Sequence, residues 1–127
     1  MKKILITDDE PHVSLLLKQF LERAGYSVST ALNGEQALAC LAEQIPDVLI
    51  TDVQMPKMSG LELCETIAGR YPEFGPFIIL MTSRTDRDIR LWVEQHSQIM
   101  LMEKPLSMRR LALQLSQHFE ALGSCNL

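Results

Sequence analysis

The fold is decided by residues 3–25, which read KILITDDEPHVSLLLKQFLERAG. The apolar run from Lys3 to Thr7 is short and ends at two carboxylates, which is typical of a buried strand. The residues that follow are apolar at helical spacing and predict an amphipathic helix that begins near Pro11 and ends before Gly25. The predicted buried face of this helix consists of Val13, Leu16, Leu17, Phe20, Leu21 and Ala24.

The same alternation of strand and helix recurs four more times along the chain. Strands are predicted at residues 26–31, 48–51, 77–81 and 99–102, and a helical pattern follows each of them. The last helix has Ser107 as its expected N-cap and Gly123 as its expected stop. Because the strands are continuously apolar, both of their faces must be buried. The five units therefore predict an α/β fold with a doubly wound, five-stranded parallel sheet.

Length and composition narrow the function further. The chain has 127 residues, of which 46% are hydrophobic and 22% charged, and this suits a single globular domain. A net charge of −4 gives no general attraction to polyphosphate, so nucleic acid is not an expected partner of this domain. No apolar stretch reaches the roughly 18 residues of a membrane helix, so we expect a cytoplasmic protein without membrane insertion. Cys40, Cys64 and Cys125 lack CxxC spacing and are predicted to be reduced packing residues.

Polar side chains follow four of the five predicted strands. Asp8 and Asp9 come after the first strand, Asp52 after the third, Thr82 after the fourth and Lys104 after the fifth. Each of these residues alone could be a helix cap or a solvated loop residue. In an open parallel sheet, however, ligands bind beyond the carboxyl ends of the strands, where these residues are expected to converge. The sequence therefore predicts a polar site at this edge of the sheet.

The residue types at this site indicate a hard metal ion and a phosphoryl group. Carboxylates that share a crevice repel one another, so they require raised pKa values or a bound cation. Oxygen ligands without His or Cys favour Mg²⁺ (or Mn²⁺) over Zn²⁺, and Mg²⁺ is usually completed by a phosphate oxygen. No glycine-rich loop follows the first strand, which disfavours nucleotide binding. We therefore expect phosphoryl transfer to one of the carboxylates. Mg²⁺ would contact one phosphoryl oxygen, and Lys104 and Thr82 would contact the other two.

These residues, in this order, resemble the receiver domain of two-component response regulators. The resemblance is carried by Asp8-Asp9, by residues 52–60 (DVQMPKMSG), by Thr82 and by Lys104-Pro105. It covers residues 3 to about 122, so we expect a receiver domain at residues 1–122 and a tail or the start of a linker at residues 123–127. The resemblance implies a flavodoxin-like (βα)5 fold with strand order 2-1-3-4-5.

The resemblance also implies a role for each site residue. Asp52 would be the phosphoacceptor for a histidine kinase or a phosphotransfer protein. Asp9, Asp52 and the backbone carbonyl of Gln54 would hold Mg²⁺, and Asp8 would act through a metal-bound water. Thr82 would be the switch hydroxyl and Lys104 the phosphoryl-binding lysine, with a cis peptide bond before Pro105.

Three further predictions concern a departure from the family pattern, the lifetime of the phosphoryl group and the surface that binds partners. Receivers commonly carry an aromatic switch residue where this chain has Leu101. Gln54 and Arg84 are predicted to flank the water molecule that hydrolyses the phosphorylated aspartate, and so to set the lifetime of the phosphoryl group. The expected output surface, for a downstream effector protein or a homodimer partner, is formed by the fourth helix, the fifth strand and the fifth helix. It offers Arg87, Asp88, Arg90, Leu91, Trp92, Leu101, Glu103, Arg109 and Arg110.

Two other functions compete with a phosphorylation switch. A pseudo-receiver would bind partners without phosphorylation, but the retained site residues argue against it. A phosphohydrolase would place a second aspartate two residues after its nucleophile on the first strand, whereas position 54 is Gln and follows the third strand. We therefore expect a domain that assists its own phosphorylation and dephosphorylation and is not a free-standing enzyme. It is either a stand-alone receiver or the receiver of a longer regulator.

Overall fold

Five parallel strands and five helices alternate in the computed structural model, which describes residues 1–73, 75–83, 87–96 and 98–125. In chain order the elements are β1 Lys3–Thr7, α1 Pro11–Arg23, β2 Ser27–Ala31, α2 Gly34–Glu43, β3 Val48–Asp52, α3 Gly60–Arg70, β4 Phe77–Thr82, α4 Arg87–Glu94, β5 Ile99–Glu103 and α5 Met108–Cys125.

The strands form one sheet in the order β2-β1-β3-β4-β5, and every pair of neighbours is parallel. This confirms the predicted doubly wound fold and its strand order. The order reverses between β1 and β3, because the chain first adds β2 on one side of β1 and then continues on the other side. The carboxyl ends of β1 and β3 therefore flank the switch point of the sheet, where α/β folds bind their ligands.

A hydrophobic layer covers each face of the sheet. Ile4 and Ile6 of β1 point to the layer formed with α1 and α5, whereas Leu5 points to the layer that includes residues of α2, α3 and α4. Alternate residues of one strand thus serve opposite layers, which is why the strands read as unbroken apolar runs. The two layers together bury the strands whose carboxyl ends carry the predicted site.

The structure corrects several details of the sequence prediction. Ala24, predicted on the buried face of the first helix, is exposed and follows the last residue of α1. Leu16 is 58% exposed, because Leu17 and Leu21 face the sheet and Leu16 is rotated about 100° from Leu17 and about 140° from Leu21. Ser14 is buried in its place. Helix α5 does not stop at Gly123 but continues to Cys125, since a glycine weakens a helix without necessarily ending it.

The predicted N-cap of α5 and the predicted free thiols of Cys40 and Cys64 agree with the structure. Ser107 accepts a hydrogen bond from the backbone N–H of Arg110 at 3.2 Å, as its predicted role as N-cap of α5 requires. Cys64 is buried, and burial raises the pKa of its thiol to about 12, while Cys40 is half-buried and also free. The side chain of Cys125 lies outside the described residues.

Within the described ranges, we find no helix with the length and apolar character needed to cross a bilayer.

Candidate functional site

The sheet brings the predicted site residues to its carboxyl edge. Asp8 directly follows β1, Asp52 ends β3 and Thr82 ends β4, and all three are buried, with Asp52 6% exposed. Lys104 follows β5, and its backbone N–H donates to the Thr82 carbonyl oxygen at 2.7 Å. Four segments far apart in the sequence thus meet at one place, as the strand ends predicted.

Lys104 links two of the carboxylates. Its ammonium Nζ lies 2.7 Å from Oδ2 of Asp52 and 3.4 Å from Oδ2 of Asp8. The second oxygen of each carboxylate accepts a backbone hydrogen bond, from the Glu10 N–H to Asp8 at 2.9 Å and from the Gln54 N–H to Asp52 at 3.1 Å. Both carboxylates are therefore fixed by the local backbone on one side and by the lysine on the other.

The electrostatics of the site reflect burial and mutual contact. Burial raises the pKa of Asp8, assisted by repulsion from Asp52 and opposed by the Glu10 N–H and by Lys104. Burial by itself lowers the pKa of Lys104, but the hydrogen bond and charge of Asp52, together with Asp8, outweigh burial and leave the pKa above its usual value. The lysine therefore stays charged at neutral pH.

The loop after β1 forms an acidic cluster. Carboxylate oxygens of Asp8, Asp9 and Glu10 lie within 4.8 Å of one another, with Asp8 buried and the other two exposed. All-oxygen donors and one desolvated carboxylate suit a hard divalent cation such as Mg²⁺. Glu10 was not among the predicted ligands, although the run of three consecutive carboxylates was the signal that could have indicated it. Its N–H also positions Asp8.

Two further predicted positions, Gln54 and Leu101, belong to the described residues. Gln54 is exposed, and its N–H contacts Asp52. Leu101 is half-buried in the hydrophobic layer that also holds Trp92 of α4. Arg84 lies outside the described residues. The peptide bond between Lys104 and Pro105 is cis, the isomer that the resemblance implied.

A comparison with protein-family models matches residues 4–116 to the response regulator receiver domain. The chain belongs to this family. Its expected membership is thereby confirmed, and receiver domains are signalling domains that bind Mg²⁺ at an acidic pocket of this kind.

Individual relatives agree with this assignment of the receiver. The alkaline phosphatase synthesis transcriptional regulatory protein PhoP of Bacillus subtilis is 38% identical over 108 residues, which are 85% of this chain and 44% of PhoP. The chemotaxis protein CheY4 of Vibrio cholerae is 30% identical, with a TM-score of 0.83 over 92% of this chain and 98% of that one. The response regulator TrrA of Thermotoga maritima, solved in complex with Mg²⁺ and beryllium fluoride, is 32% identical with a TM-score of 0.80, over 92% and 98% of the two chains.

Proposed function

We propose that this receiver domain accepts a phosphoryl group on Asp52 from a histidine kinase or a phosphotransfer protein. The observation that carries the proposal is the setting of Asp52, whose buried carboxylate is held by Lys104 at 2.7 Å and by the Gln54 N–H at 3.1 Å. In the transfer, an Asp52 oxygen forms a bond to phosphorus while the bond from phosphorus to the donor imidazole nitrogen breaks. The imidazole keeps the electron pair of that bond, and the product is an acyl phosphate.

The neighbouring side chains suit the charge that develops in this step. Asp9, Asp52 and the Gln54 backbone carbonyl would hold Mg²⁺ (or Mn²⁺), with Asp8 acting through a metal-bound water. The ion, when bound, supplies positive charge to the phosphoryl oxygens. The Lys104 ammonium, already 2.7 Å from Asp52, needs only a small displacement to reach an oxygen of the new group. Thr82, buried at the end of β4, is proposed to provide the hydroxyl for another oxygen.

The proposed output is a change at α4, β5 and α5. None of the described residues of α4 is fully buried. One connection between α4 and α3 is a hydrogen bond from Nε1 of Trp92 to Oε1 of Glu65 at 3.2 Å. A helix held by partly buried contacts can shift at low cost when Thr82 and Lys104 engage a phosphoryl group. Leu101 is proposed to repack against α4 in that shift, in place of the aromatic residue common in receivers.

Acetyl phosphate provides the direct test of this proposal. Incubation of the chain with acetyl phosphate and Mg²⁺ is expected to add the mass of one phosphoryl group, in a bond that hydroxylamine cleaves. A folded chain that binds Mg²⁺ but gains no mass would be a pseudo-receiver instead. Rapid, repeated consumption of acetyl phosphate without an adduct would indicate a hydrolase. Either result would overturn the proposal.

Gln54 is expected to set the lifetime of the adduct. Its exposed side chain follows Asp52 by two positions, where it can contact the water that hydrolyses the acyl phosphate. Gln54→Ala should therefore change the rate of dephosphorylation by roughly three- to tenfold, measured as the decay of the phosphorylated mass. Gln44→Ala serves as the matched control, because Gln44 is exposed at the end of α2, at the opposite edge of the sheet. Equal decay rates in the two variants would remove Gln54 from this role. The corresponding role of Arg84 stays a prediction from the sequence.

A further inference from the structure

Thr51 is a buried hydroxyl residue beside the proposed phosphoacceptor, and the proposed function gives it no role. It precedes Asp52 on β3 and is fully buried. Leu49 and Val53 lie two positions away on either side and belong to the apolar layer formed with α2, α3 and α4, so Thr51 faces that layer as well. A hydroxyl group costs free energy in such a layer unless it forms a hydrogen bond. The contacts of Thr51 therefore indicate what it stabilises.

The Thr51 hydroxyl contacts both ends of the segment that follows it, residues 52–55. Its Oγ1 donates to the backbone oxygen of Asp52 at 3.2 Å and lies 3.9 Å from Sδ of Met55. Thioether sulfur is a weak acceptor, so the carbonyl oxygen is the stronger partner of the single hydroxyl hydrogen. Between these two contacts, the Gln54 N–H donates back to the Asp52 carboxylate at 3.1 Å. One buried side chain thus holds the start and the end of the segment.

Residues 52–55 carry two of the proposed metal ligands, the carboxylate of Asp52 and the backbone carbonyl of Gln54. A backbone carbonyl cannot be reoriented by rotation of a side chain, so its direction depends on the chain on either side of it. Groups that hold a ligand in place from behind adjust metal affinity although they do not touch the ion. Thr51 is placed to act in this way on the Gln54 carbonyl.

A second threonine at the end of a strand shows that burial alone does not produce such contacts. Thr7 on β1 is paired in register with Thr51 on β3. It precedes Asp8 as Thr51 precedes Asp52, and both threonines are fully buried. Within the part of the chain that the structure describes, Oγ1 of Thr7 has no hydrogen-bond partner. The two side chains therefore match in residue type and burial but differ in what their hydroxyl groups hold.

We propose that the Thr51 hydroxyl positions the Gln54 backbone carbonyl for Mg²⁺ and thereby sets the metal affinity of the domain. The inference rests on the proposed function, because it concerns the ion that assists phosphoryl transfer. Thr51 is a positioning residue, since its hydroxyl acts through residues 52–55. Without the hydroxyl, this segment has more conformational freedom, and the entropy lost when the segment is ordered opposes metal binding.

Titration of the chain and its variants with Mg²⁺, followed in heteronuclear NMR spectra, tests the inference. Thr51→Val keeps the shape of the side chain without its hydroxyl and should raise the Kd for Mg²⁺ by about three- to tenfold. Thr51→Ser keeps the hydroxyl and should stay within about twofold of the unchanged chain. Thr7→Val is the matched control, because it removes a buried hydroxyl that has no partner among the described residues, and it should also stay within about twofold. The same spectra show whether each variant is folded.

Adduct formation from acetyl phosphate gives a second readout. In Thr51→Val the Mg²⁺ concentration at half-maximal rate should rise by the same factor as the Kd, and added Mg²⁺ should recover most of the rate. A merely structural role would lower thermal stability without moving this concentration. A rate that stays low at saturating Mg²⁺ would mean that the hydroxyl acts on the Asp52 carboxylate itself, and would overturn the inference. If Thr51→Val does not fold, Thr51→Ala and Thr51→Ser provide the same comparison, because they differ only in the hydroxyl.

Three results of the titration would also overturn the inference. The first is an unchanged Kd in Thr51→Val. The second is an equal loss of affinity in Thr51→Ser, which would assign the effect to the methyl group. The third is an equal loss in Thr7→Val, which would assign it to any hydroxyl buried at a strand end. In each case the proposed function stands if the unchanged chain forms the phosphoryl adduct. Weaker Mg²⁺ binding in Thr51→Val, when the unchanged chain forms no adduct, would overturn the proposed function and leave the inference in place.

Discussion

Asp52→Asn is expected to abolish the labile phosphoryl adduct while the fold is retained. The amide lacks the anionic oxygen that attacks phosphorus, so no acyl phosphate can form at this position. Asparagine has nearly the same shape as aspartate, and its side-chain oxygen can still accept the hydrogen bond from the Gln54 N–H. Among the described site residues, the carboxylates of Asp8 and Asp52 both contact the ammonium of Lys104, and Asp52 also repels Asp8. Loss of one negative charge relieves repulsion as well as weakening an ion pair. Lys104 keeps Asp8 as a partner in this variant, so the domain should still unfold in a single cooperative transition.

Intact mass after incubation with acetyl phosphate and Mg²⁺ measures this effect. Asp47→Asn is the matched control, because Asp47 is an exposed aspartate just before β3, at the opposite edge of the sheet, where it accepts a hydrogen bond from the Lys3 N–H. This control should form the adduct at the rate of the unchanged chain. An adduct of undiminished yield in Asp52→Asn would place the phosphoryl group on another residue and refute the assignment.

Asp9→Asn should slow adduct formation at low Mg²⁺, and the rate should recover when Mg²⁺ is raised, since Asp9 is proposed to act only through the metal.

The strands could be predicted because the physics that buries them is local. Each strand of a parallel sheet is covered on both faces, so a run such as Lys3–Thr7 stands out from the helical periods on either side of it. The polar residues that end these runs then had to meet at one edge, which placed Asp8, Asp52 and Lys104 together although 96 positions separate the first from the last. The strand order does not follow from the same pattern and came from the resemblance to receiver domains.

The details that the sequence did not predict depend on packing between elements. A stripe of apolar residues at helical spacing fits more than one rotation of a helix, and only contact with the sheet decides that Ser14 is buried in α1 and Leu16 is exposed. Helix α4 has a clear apolar pattern, yet none of its described residues is fully buried, because it lies against the edge strand β5. The Lys104 ammonium lies closer to Asp52 than to Asp8, and the spacing of residues along the chain does not determine these distances.

Gly60→Ala is expected to destabilise the domain by roughly 3 kcal/mol, which corresponds to a fall in melting temperature of about 10 °C. Gly60 is the first residue of α3, and its N–H donates to the Val53 carbonyl oxygen at 2.8 Å. A Cβ added at this position would collide with the backbone oxygen of Asp52 and would lie 2.9 Å from the Cα of Val53. Both of these atoms belong to the backbone, so no side-chain rotation can relieve the contact. Either α3 or the end of β3 must move.

Gly69→Ala in the same helix should have the opposite sign. None of the described residues outside the helix places an atom within 4 Å of an added Cβ at Gly69, and alanine favours the helix over glycine by up to about 1 kcal/mol. The two variants therefore separate helix propensity from close approach to the site, and chemical denaturation measures both.

Because the displaced atom at Gly60 is the carbonyl oxygen of Asp52, Gly60→Ala should also form the acetyl phosphate adduct more slowly at a temperature where it is still folded. A Gly60→Ala chain as stable as the unchanged chain would contradict the close contact of α3 with β3. A variant that lost stability but kept the full phosphorylation rate would show that the position of the Asp52 carboxylate does not depend on that contact.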